Sequence, residues 1–155
     1  TMLEKRVVAL DVGEKRIGIA VSDPMGWTAQ GLESYSRVSP EKDLAHFLAL
    51  FKPYQPMTLL FGMPRNMNGS YGPQAEKIKA YADELTAQLA DQLDFDVDFF
   101  DERLSSMAAE RILIDAGMRR DKRRKVIDKM AAVQILQGYL DSGRRGVSGV
   151  AEPEE

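Results

Sequence analysis

Apolar residues dominate two short segments near the start of the chain, residues 7–11 and 16–22, and both segments are rich in β-branched side chains. Such runs predict β-strands, and Gly13 between them predicts a turn. A weaker pattern over residues 28–35 is compatible with a third strand. Because no helical pattern separates the three segments, they predict an antiparallel start to a sheet.

A helical pattern begins after these strands. Ser39 and Pro40 have the residue types favoured at an N-cap and at the first helical position, and residues 41–51 then place apolar side chains on one stripe. Residues 57–61 are apolar except for Thr58, which predicts a strand buried on both faces. The other predicted elements are a helix over about 73–92, a strand over 95–100, a helix from Ser105 or Ser106 to Gly117, and a last amphipathic helix over 126–140.

The predicted order of elements is β-β-β-α-β-α-β-α-α, in which an antiparallel start leads into βαβ units. This order predicts an α/β protein with a mixed sheet and helices on both faces. A chain of 155 residues, 44% of them hydrophobic, suits one compact domain. Residues 142–155 are rich in Gly, Arg and Glu, so we expect one domain over residues 1–141 and a disordered tail over 142–155.

Composition narrows the chemistry that the chain can perform. The sequence has no cysteine and a single histidine, His46, so a zinc site built from these residues is excluded and a Ser-His-Asp triad is not expected. A metal would need oxygen ligands, which favours Mg²⁺ or Mn²⁺. No apolar run approaches the ~20 residues of a membrane span and no secretory signal is recognisable. We therefore expect a cytoplasmic protein without a membrane partner.

Charge is unevenly distributed along the chain. The net charge of −3 argues mildly against nucleic-acid binding. Residues 119–125, however, read RRDKRRK, with six cations in seven positions. A local basic patch matters more for phosphate binding than the total charge. A run of this kind is also common on an ordinary solvated surface, so the pattern alone leaves both interpretations open.

Three distant segments carry acidic residues where an element begins or ends. Asp11 closes the first predicted strand, Asp101 and Glu102 follow the strand over 95–100, and Asp128 lies in the first turn of the last predicted helix. If these ends meet at one edge of the sheet, the clustered carboxylates need cations, and two divalent ions would supply them. Each acid could instead be a turn residue, a helix cap or an acid favoured by the helix dipole.

Four segments in order resemble the signatures of the YqgF/RuvX family of the RNase H-like superfamily: ALDVGEKRIGIAVSD, FGMPRNMNGSYGPQAE, DERLSSMAAERIL and VIDKMAAVQILQGYL. The resemblance covers residues 7 to about 141. It implies an RNase H-like fold, with a five-stranded mixed sheet of three antiparallel strands followed by parallel strands, flanked by helices on both faces. It also implies catalytic metal ligands at Asp11, Glu102 and Asp128, with Asp101 as the alternative to Glu102.

Several further residues are candidates for contact with backbone phosphates. Two lie at the turn after Asp11, three in the polar loop over 62–72, one beside the acidic pair, and the others in the basic run. The alternatives are a solvated hairpin turn, a plain surface loop, a structural ion pair and a solvated helix face. These candidates are Lys15, Arg16, Arg65, Asn66, Ser70, Arg103, Arg119, Arg120, Lys122, Arg123, Arg124 and Lys125.

The resemblance favours a metal-dependent endonuclease that hydrolyses phosphodiesters by two-metal catalysis. Members of the family are described as Holliday-junction resolvases and as nucleases that mature the 5′ end of the 16S rRNA precursor, so structured RNA and branched DNA are both expected partners. A junction resolvase needs a homodimer, whereas an RNA-trimming enzyme can act as a monomer. Two alternatives stay open: a non-catalytic nucleic-acid-binding or ribosome-assembly module, and an actin-like phosphotransferase fragment.

Overall fold

A computed structural model describes residues 5–64, 72–102 and 120–144, with side chains omitted at 101, 102 and 120–125. Within these ranges the protein forms one five-stranded mixed sheet. Its strands are β1 (Arg6–Val12), β2 (Arg16–Ser22), β3 (Ala29–Ser36), β4 (Met57–Pro64) and β5 (Phe95–Glu102). The helices are α1 (Pro40–Phe51), α2 (Pro73–Leu89) and α3 (Arg120–Asp141), and a short 3₁₀ turn covers Lys52–Tyr54.

The strands lie in the order β3-β2-β1-β4-β5. The β1–β2 and β2–β3 pairs are antiparallel, whereas β4 pairs in parallel with β1 and with β5. This arrangement confirms the predicted mixed sheet with an antiparallel start. It follows from connection lengths, because tight turns join the first three strands and α1 and α2 provide the crossovers that parallel neighbours need.

Alternation along β1 divides the core into two layers. Val8 and Leu10 belong to the cluster that α1 and α2 cover, whereas Val7 and Ala9 belong to the cluster that α3 covers. Side chains of successive strand residues point to opposite faces, so each face of the central strand buries its own apolar row. The helices therefore lie on both faces of the sheet, as the sequence pattern predicts.

Polar side chains fix the start of α1 against the sheet. Ser39 accepts a hydrogen bond from the backbone N–H of Lys42 at 3.2 Å, which is the N-cap geometry that the sequence predicts. Asp43, buried in the first turn, accepts from the Tyr35 hydroxyl at 2.7 Å and from the Val38 N–H at 2.9 Å. The helix is thereby joined to the end of β3, and the buried carboxylate has two donors.

The last helix begins earlier than the sequence pattern predicts. It covers Arg120–Asp141 instead of residues 126–140, so most of the basic run forms its first turns. Arg and Lys are good helix formers, but a run of charges carries no apolar period to reveal the helix. Asp128 therefore lies in the third turn, not the first, so the prediction of a first-turn position was wrong. The helix expected from Ser105 or Ser106 to Gly117 lies outside the described residues.

The chain after α3 continues into a hydrogen-bonded turn. The Arg144 N–H donates to the Tyr139 carbonyl at 2.8 Å, and its guanidinium donates to the Lys5 carbonyl at 2.9 Å. The described chain is therefore held against the start of β1 up to residue 144. The rest of the expected tail lies beyond the described ranges. No helix in those ranges combines the length and the hydropathy that crossing a membrane requires.

Candidate metal and nucleic-acid site

Asp11 lies one residue before the end of β1 and is partly buried. It pairs in register with Gly18 of β2. Because Val7 and Ala9 pack in the cluster beneath α3, alternation places Asp11 on that same face. Residues 7, 9 and 11 thus form one row on this face, and Asp11 lies where this row reaches the carboxyl end of β1.

Gly18 allows the backbone of α3 to lie directly on the sheet. A Cβ atom at this position would lie 2.0 Å from the Asp128 carbonyl oxygen and 3.3 Å from the Asp128 Cα. Residues opposite each other on antiparallel strands have Cα atoms about 4.5–5.5 Å apart. The Cα atoms of Asp11 and Asp128 are therefore within roughly 10 Å, a distance that two aspartates with a cation between them can span.

The Asp128 carboxylate is held by side chains from two strands. Arg16 Nε of β2 donates to Oδ2 at 2.5 Å, and Ser34 Oγ of β3 donates to the same oxygen at 3.0 Å. The side chains of Arg16 and Asp128 keep 26% and 18% of their exposure. Partial burial shields this charged pair from solvent, so it contributes more than a fully exposed ion pair.

The backbone register of β5 distinguishes positions 101 and 102. Glu102 is the last residue of the strand and pairs with Pro64 of β4. Asp98 of the same strand accepts a hydrogen bond from Tyr139 of α3 at 2.7 Å, and Phe100 packs in the cluster beneath α3. By alternation, position 102 falls in the row of 98 and 100 on the α3 face, whereas position 101 falls on the opposite face.

The donor set fits a hard divalent cation. Asp11 and Asp128 supply carboxylate oxygens on the same face, and no donor from the described residues reaches Oδ1 of Asp128. Mg²⁺ and Mn²⁺ prefer such oxygen ligands. Among the residues whose side chains are described, no group of three metal-ligating side chains is assembled. The third predicted ligand, Glu102, is described only by its backbone.

The structure describes some of the predicted phosphate-contacting residues. Lys15 is exposed at the turn after β1, whereas the Arg16 guanidinium is engaged with Asp128. Five of the other basic-run candidates lie along the first turns of α3 by their backbone: Arg120, Lys122, Arg123, Arg124 and Lys125. The candidates Arg65, Asn66, Ser70, Arg103 and Arg119 lie outside the described residues.

Sequence reasoning missed Ser34. No motif marks Ser34, because its contact with Asp128 depends on how α3 crosses β2 and β3. Asp23, in the turn after β2, lies at the opposite end of the sheet from Asp11 and accepts from the N–H groups of Trp27 and Thr28. The Trp27 N–H bond holds the pKa of Asp23 below its usual value, as expected of a turn residue.

Two aromatic residues outside the site, Trp27 and His46, differ in how far they are buried. Trp27 keeps 72% of its surface exposed, so it does not pack against the hairpin in which it lies. His46 stacks on the Tyr35 ring at a centroid distance of 4.1 Å, and its Nε2 lies 2.8 Å from a Glu33 carboxylate oxygen. The histidine is thus part of the packing between α1 and β3.

The order β3-β2-β1-β4-β5, its antiparallel and parallel pairs and its flanking helices define an RNase H-like fold. The model of the family described as Holliday junction resolvase, RuvX, matches residues 5–142. The chain therefore belongs to the RuvX family, and the resemblance noted in the sequence is confirmed.

Curated relatives and solved structures agree with this assignment. Proteins named "Putative pre-16S rRNA nuclease" from Desulforamulus reducens and Moorella thermoacetica are 50% and 51% identical, and the matches cover 90% and 94% of this chain and 99% of each relative. T. thermophilus RuvC in complex with Holliday junction substrate matches at a TM-score of 0.55 and 15% identity, over 92% of this chain and 99% of that chain. Fowlpox virus resolvase in complex with Holliday junction DNA matches at a TM-score of 0.53 and 12% identity, over 90% of this chain and 99% of that chain.

Proposed function

We propose that this protein is a metal-dependent nuclease that hydrolyses phosphodiester bonds. One observation carries the proposal: α3 rests on Gly18, the register partner of Asp11, so that Asp11 and Asp128 come together at the carboxyl end of β1. Ligand sites of α/β sheets lie at such strand ends. Carboxylate oxygens gathered at such a strand end are the ligands that a divalent cation such as Mg²⁺ prefers.

We further propose Asp11, Glu102 and Asp128 as the metal ligands. Glu102 is favoured over Asp101 because its backbone position belongs to the row on the α3 face. Bound Mg²⁺ or Mn²⁺ ions, two in the proposed mechanism, would supply positive charge for water activation and for the leaving oxygen of the phosphodiester. The carboxylates would hold and orient this charge.

The nucleic acid would approach the strand ends from the side of the hairpin turn and the start of α3. Lys15 lies exposed one residue before Arg16, and the basic turns of α3 lead directly to Asp128. Cations in these places bind backbone phosphates and set position and affinity, not sequence. We also include five residues that are neighbours of these segments in the sequence, in the loop after β4, beside Glu102 and just before α3. They are Arg65, Asn66, Ser70, Arg103 and Arg119.

Precursor 16S rRNA is our first proposed substrate, because relatives that are about 50% identical over nearly their whole length are named for that activity. Four-way DNA junctions are the second, because the family is described as a Holliday junction resolvase family. The first activity is compatible with a monomer, whereas symmetrical resolution requires a homodimer with two sites. Both substrates present the same phosphodiester chemistry to the carboxylates.

Side-by-side cleavage of precursor 16S rRNA and of a four-way DNA junction, each with Mg²⁺ or Mn²⁺, tests the proposal. We expect Asp11→Asn to reduce cleavage by about 10²–10³-fold, which is the effect of losing one catalytic electrostatic group. The matched control is Asp23→Asn, which removes the same charge at the far end of the sheet and should cleave like the wild type. RNA or DNA binding in EDTA without any cleavage after metal addition would instead support the non-catalytic alternative.

A further inference from the structure

The two oxygens of the Asp128 carboxylate differ in their hydrogen bonds. Oδ2 accepts both described hydrogen bonds, from Arg16 Nε at 2.5 Å and from Ser34 Oγ at 3.0 Å. Oδ1 receives no donor from the residues whose side chains are described. A carboxylate held through one oxygen keeps the other available as a ligand, and its rotation is restricted by the bonds already made.

The positions of the two donors follow from the register of the sheet. Asp11, Gly18 and Ser34 are neighbours across β1, β2 and β3, and all three lie in one row on the α3 face. Gly18 in the middle of this row has no side chain, and α3 places Asp128 over it. Ser34 therefore reaches Asp128 from the side of β2 that is remote from Asp11.

Arg16 adds a compensating charge to this arrangement. Its guanidinium pairs with a carboxylate that keeps 18% of its exposure and has Asp11 on the neighbouring strand. Bringing two carboxylates together costs free energy unless a cation is close. Arg16 is such a cation built into the fold, and its Nε–H fixes the direction from which Oδ2 is held.

We propose that Ser34 and Arg16 are positioning residues that hold Asp128 through Oδ2 and present Oδ1 to a divalent cation. The inference rests on the proposed function, in which Asp128 is a metal ligand. Hydrogen-bond partners of metal ligands typically change metal affinity about 10–100-fold when they are removed. Neither residue needs to touch the cation or the nucleic acid for this role.

The test measures Mn²⁺ binding to the full chain by titration calorimetry and Mn²⁺ electron paramagnetic resonance, without substrate. We expect Ser34→Ala to weaken binding about tenfold. Ser34→Thr keeps the hydroxyl donor and should restore affinity close to that of the wild type. Ser36→Ala is the matched control, because Ser36 lies two residues along the same strand, is exposed, and its hydroxyl has no described hydrogen bond.

The positioning role of Arg16 is tested with a variant that keeps the positive charge. Arg16→Lys keeps the cation and removes the planar Nε–H donor, so it should weaken Mn²⁺ binding severalfold, as expected for a partner of a metal ligand. The control is Arg6→Lys, the same substitution at the start of β1, where Arg6 donates to the Ser22 carbonyl at the far end of the sheet, and it should bind Mn²⁺ as the wild type does. Thermal melting of every variant separates a loss of folding from a loss of metal affinity.

The outcomes distinguish this inference from the proposed function. If the wild type binds no Mn²⁺, or if Asp128→Asn binds as tightly as the wild type, the metal site itself fails and the inference fails with it. If Asp128→Asn loses binding while Ser34→Ala and Arg16→Lys keep it, the metal site stands and the positioning role is overturned. A Ser34→Ala variant that melts earlier but binds Mn²⁺ normally also overturns it, because the serine would then be purely structural.

Discussion

Gly18 is the residue at which α3 and the sheet come closest. A methyl group there would meet the Asp128 carbonyl oxygen at 2.0 Å, and a backbone atom cannot move aside as the end of a flexible side chain can. We expect Gly18→Ala to lower the free energy of unfolding by about 2–3 kcal/mol, in the range of overpacked interiors. Urea denaturation followed by circular dichroism measures this loss.

Gly31 provides the control for this substitution. It lies on β3 and also faces α3, but the nearest atoms to an added Cβ are side-chain atoms at 3.5 and 3.6 Å, which is ordinary contact distance. Gly31→Ala should therefore change the free energy of unfolding by less than about 1 kcal/mol. Equal losses in the two variants would show that the close approach of α3 to β2 is not what Gly18 provides.

Tyr35 should make stability sensitive to alkaline pH. Burial and the hydrogen bond to Asp43 raise the pKa of Tyr35 to about 12 from its ordinary value of 10.0. The unfolded chain releases this proton near pH 10 and the folded chain does not, so the contribution is complete below pH 10 and is lost as pH rises from 10 to 12. We expect Tyr35→Phe to be about 1.5 kcal/mol less stable at pH 8, from the lost bond to a charged acceptor.

The comparison of wild type and Tyr35→Phe at two pH values tests this assignment. Urea unfolding at pH 8 and at pH 11.5 gives the difference in the free energy of unfolding between the two proteins. The difference should narrow at pH 11.5, because the wild type loses the contribution of the Tyr35 proton above pH 10. The variant has no ionisable group at this position and loses nothing there. A difference that stays constant or widens with pH would contradict the raised pKa of Tyr35.

For individual residues, the sequence predicts positions that depend on a local pattern. It does not predict contacts that depend on how the elements pack together. Alternation along β1 places Asp11 on one face with Val7 and Ala9, and the structure agrees. Ser34 could not be found in this way, because only the crossing of α3 over β2 and β3 brings it to Asp128. Trp27 is a large hydrophobic residue, yet it lies in the turn between β2 and β3 and keeps 72% of its surface exposed.

At the scale of elements, α3 connects the two ends of the sheet. Asp128 lies at the carboxyl end of β1, and nine residues later Gln137 reaches the turn between β2 and β3. The Gln137 amide accepts from the Ala29 N–H at 3.0 Å and donates to the Trp27 carbonyl at 3.1 Å. The same helix thus contributes a proposed metal ligand and fixes the hairpin at the far end.

We expect Gln137→Ala to loosen this hairpin without unfolding the protein. The hydrogen bond that the Ala29 N–H loses contributes about 1 kcal/mol, so amide hydrogen exchange at Ala29 should accelerate roughly fivefold. Heteronuclear NMR of the exchanging amides measures the effect residue by residue. The control is Gln134→Ala, one turn earlier on α3, whose side chain makes no described hydrogen bond. Unchanged protection of Ala29 in Gln137→Ala would contradict the proposed link.

The positions of the elements were predictable where the apolar period is clear. The strands of the first hairpin and α1 lie within a residue or two of their predicted limits, because apolar alternation and the Ser39-Pro40 start signal define them. The beginning of α3 was missed by six residues, since the charged run from Arg120 to Lys125 has no apolar stripe. Asp128 was consequently placed in the wrong turn of its helix.

At the scale of the whole molecule, sheet order decides which segments can form a site. The parallel pairing of β1 with β4 and of β4 with β5 brings the carboxyl ends of all three strands to one edge. The family motifs lie far apart in the sequence, but those of Asp11, Glu102 and Asp128 converge on this edge through the topology. The predicted fold class thus determines where the backbone of these three positions lies, whereas the orientation of the Asp128 carboxylate depends on contacts such as that of Ser34.

The basic start of α3 should determine how strongly nucleic acid binds and how that affinity depends on salt. Each phosphate contact with a duplex contributes about −0.9 to the slope of log K against log salt concentration. Replacing two contacting cations, as in Arg123→Gln/Arg124→Gln, should therefore make the slope less steep by about 1.8 and weaken binding most at low salt. The measurement is fluorescence anisotropy with an unlabelled protein and a labelled four-way DNA junction, in Ca²⁺ to prevent cleavage.

A double variant with the same loss of charge separates local from general electrostatics. Lys42 and Lys52 are exposed on and just after α1, on the face of the sheet opposite α3. Lys42→Gln/Lys52→Gln lowers the net charge by the same two units and should leave the salt slope unchanged, because charges beyond a Debye length of about 10 Å are screened. Equal slopes for the two variants would assign binding to the charge of the whole protein and would remove the start of α3 from the proposed nucleic-acid surface.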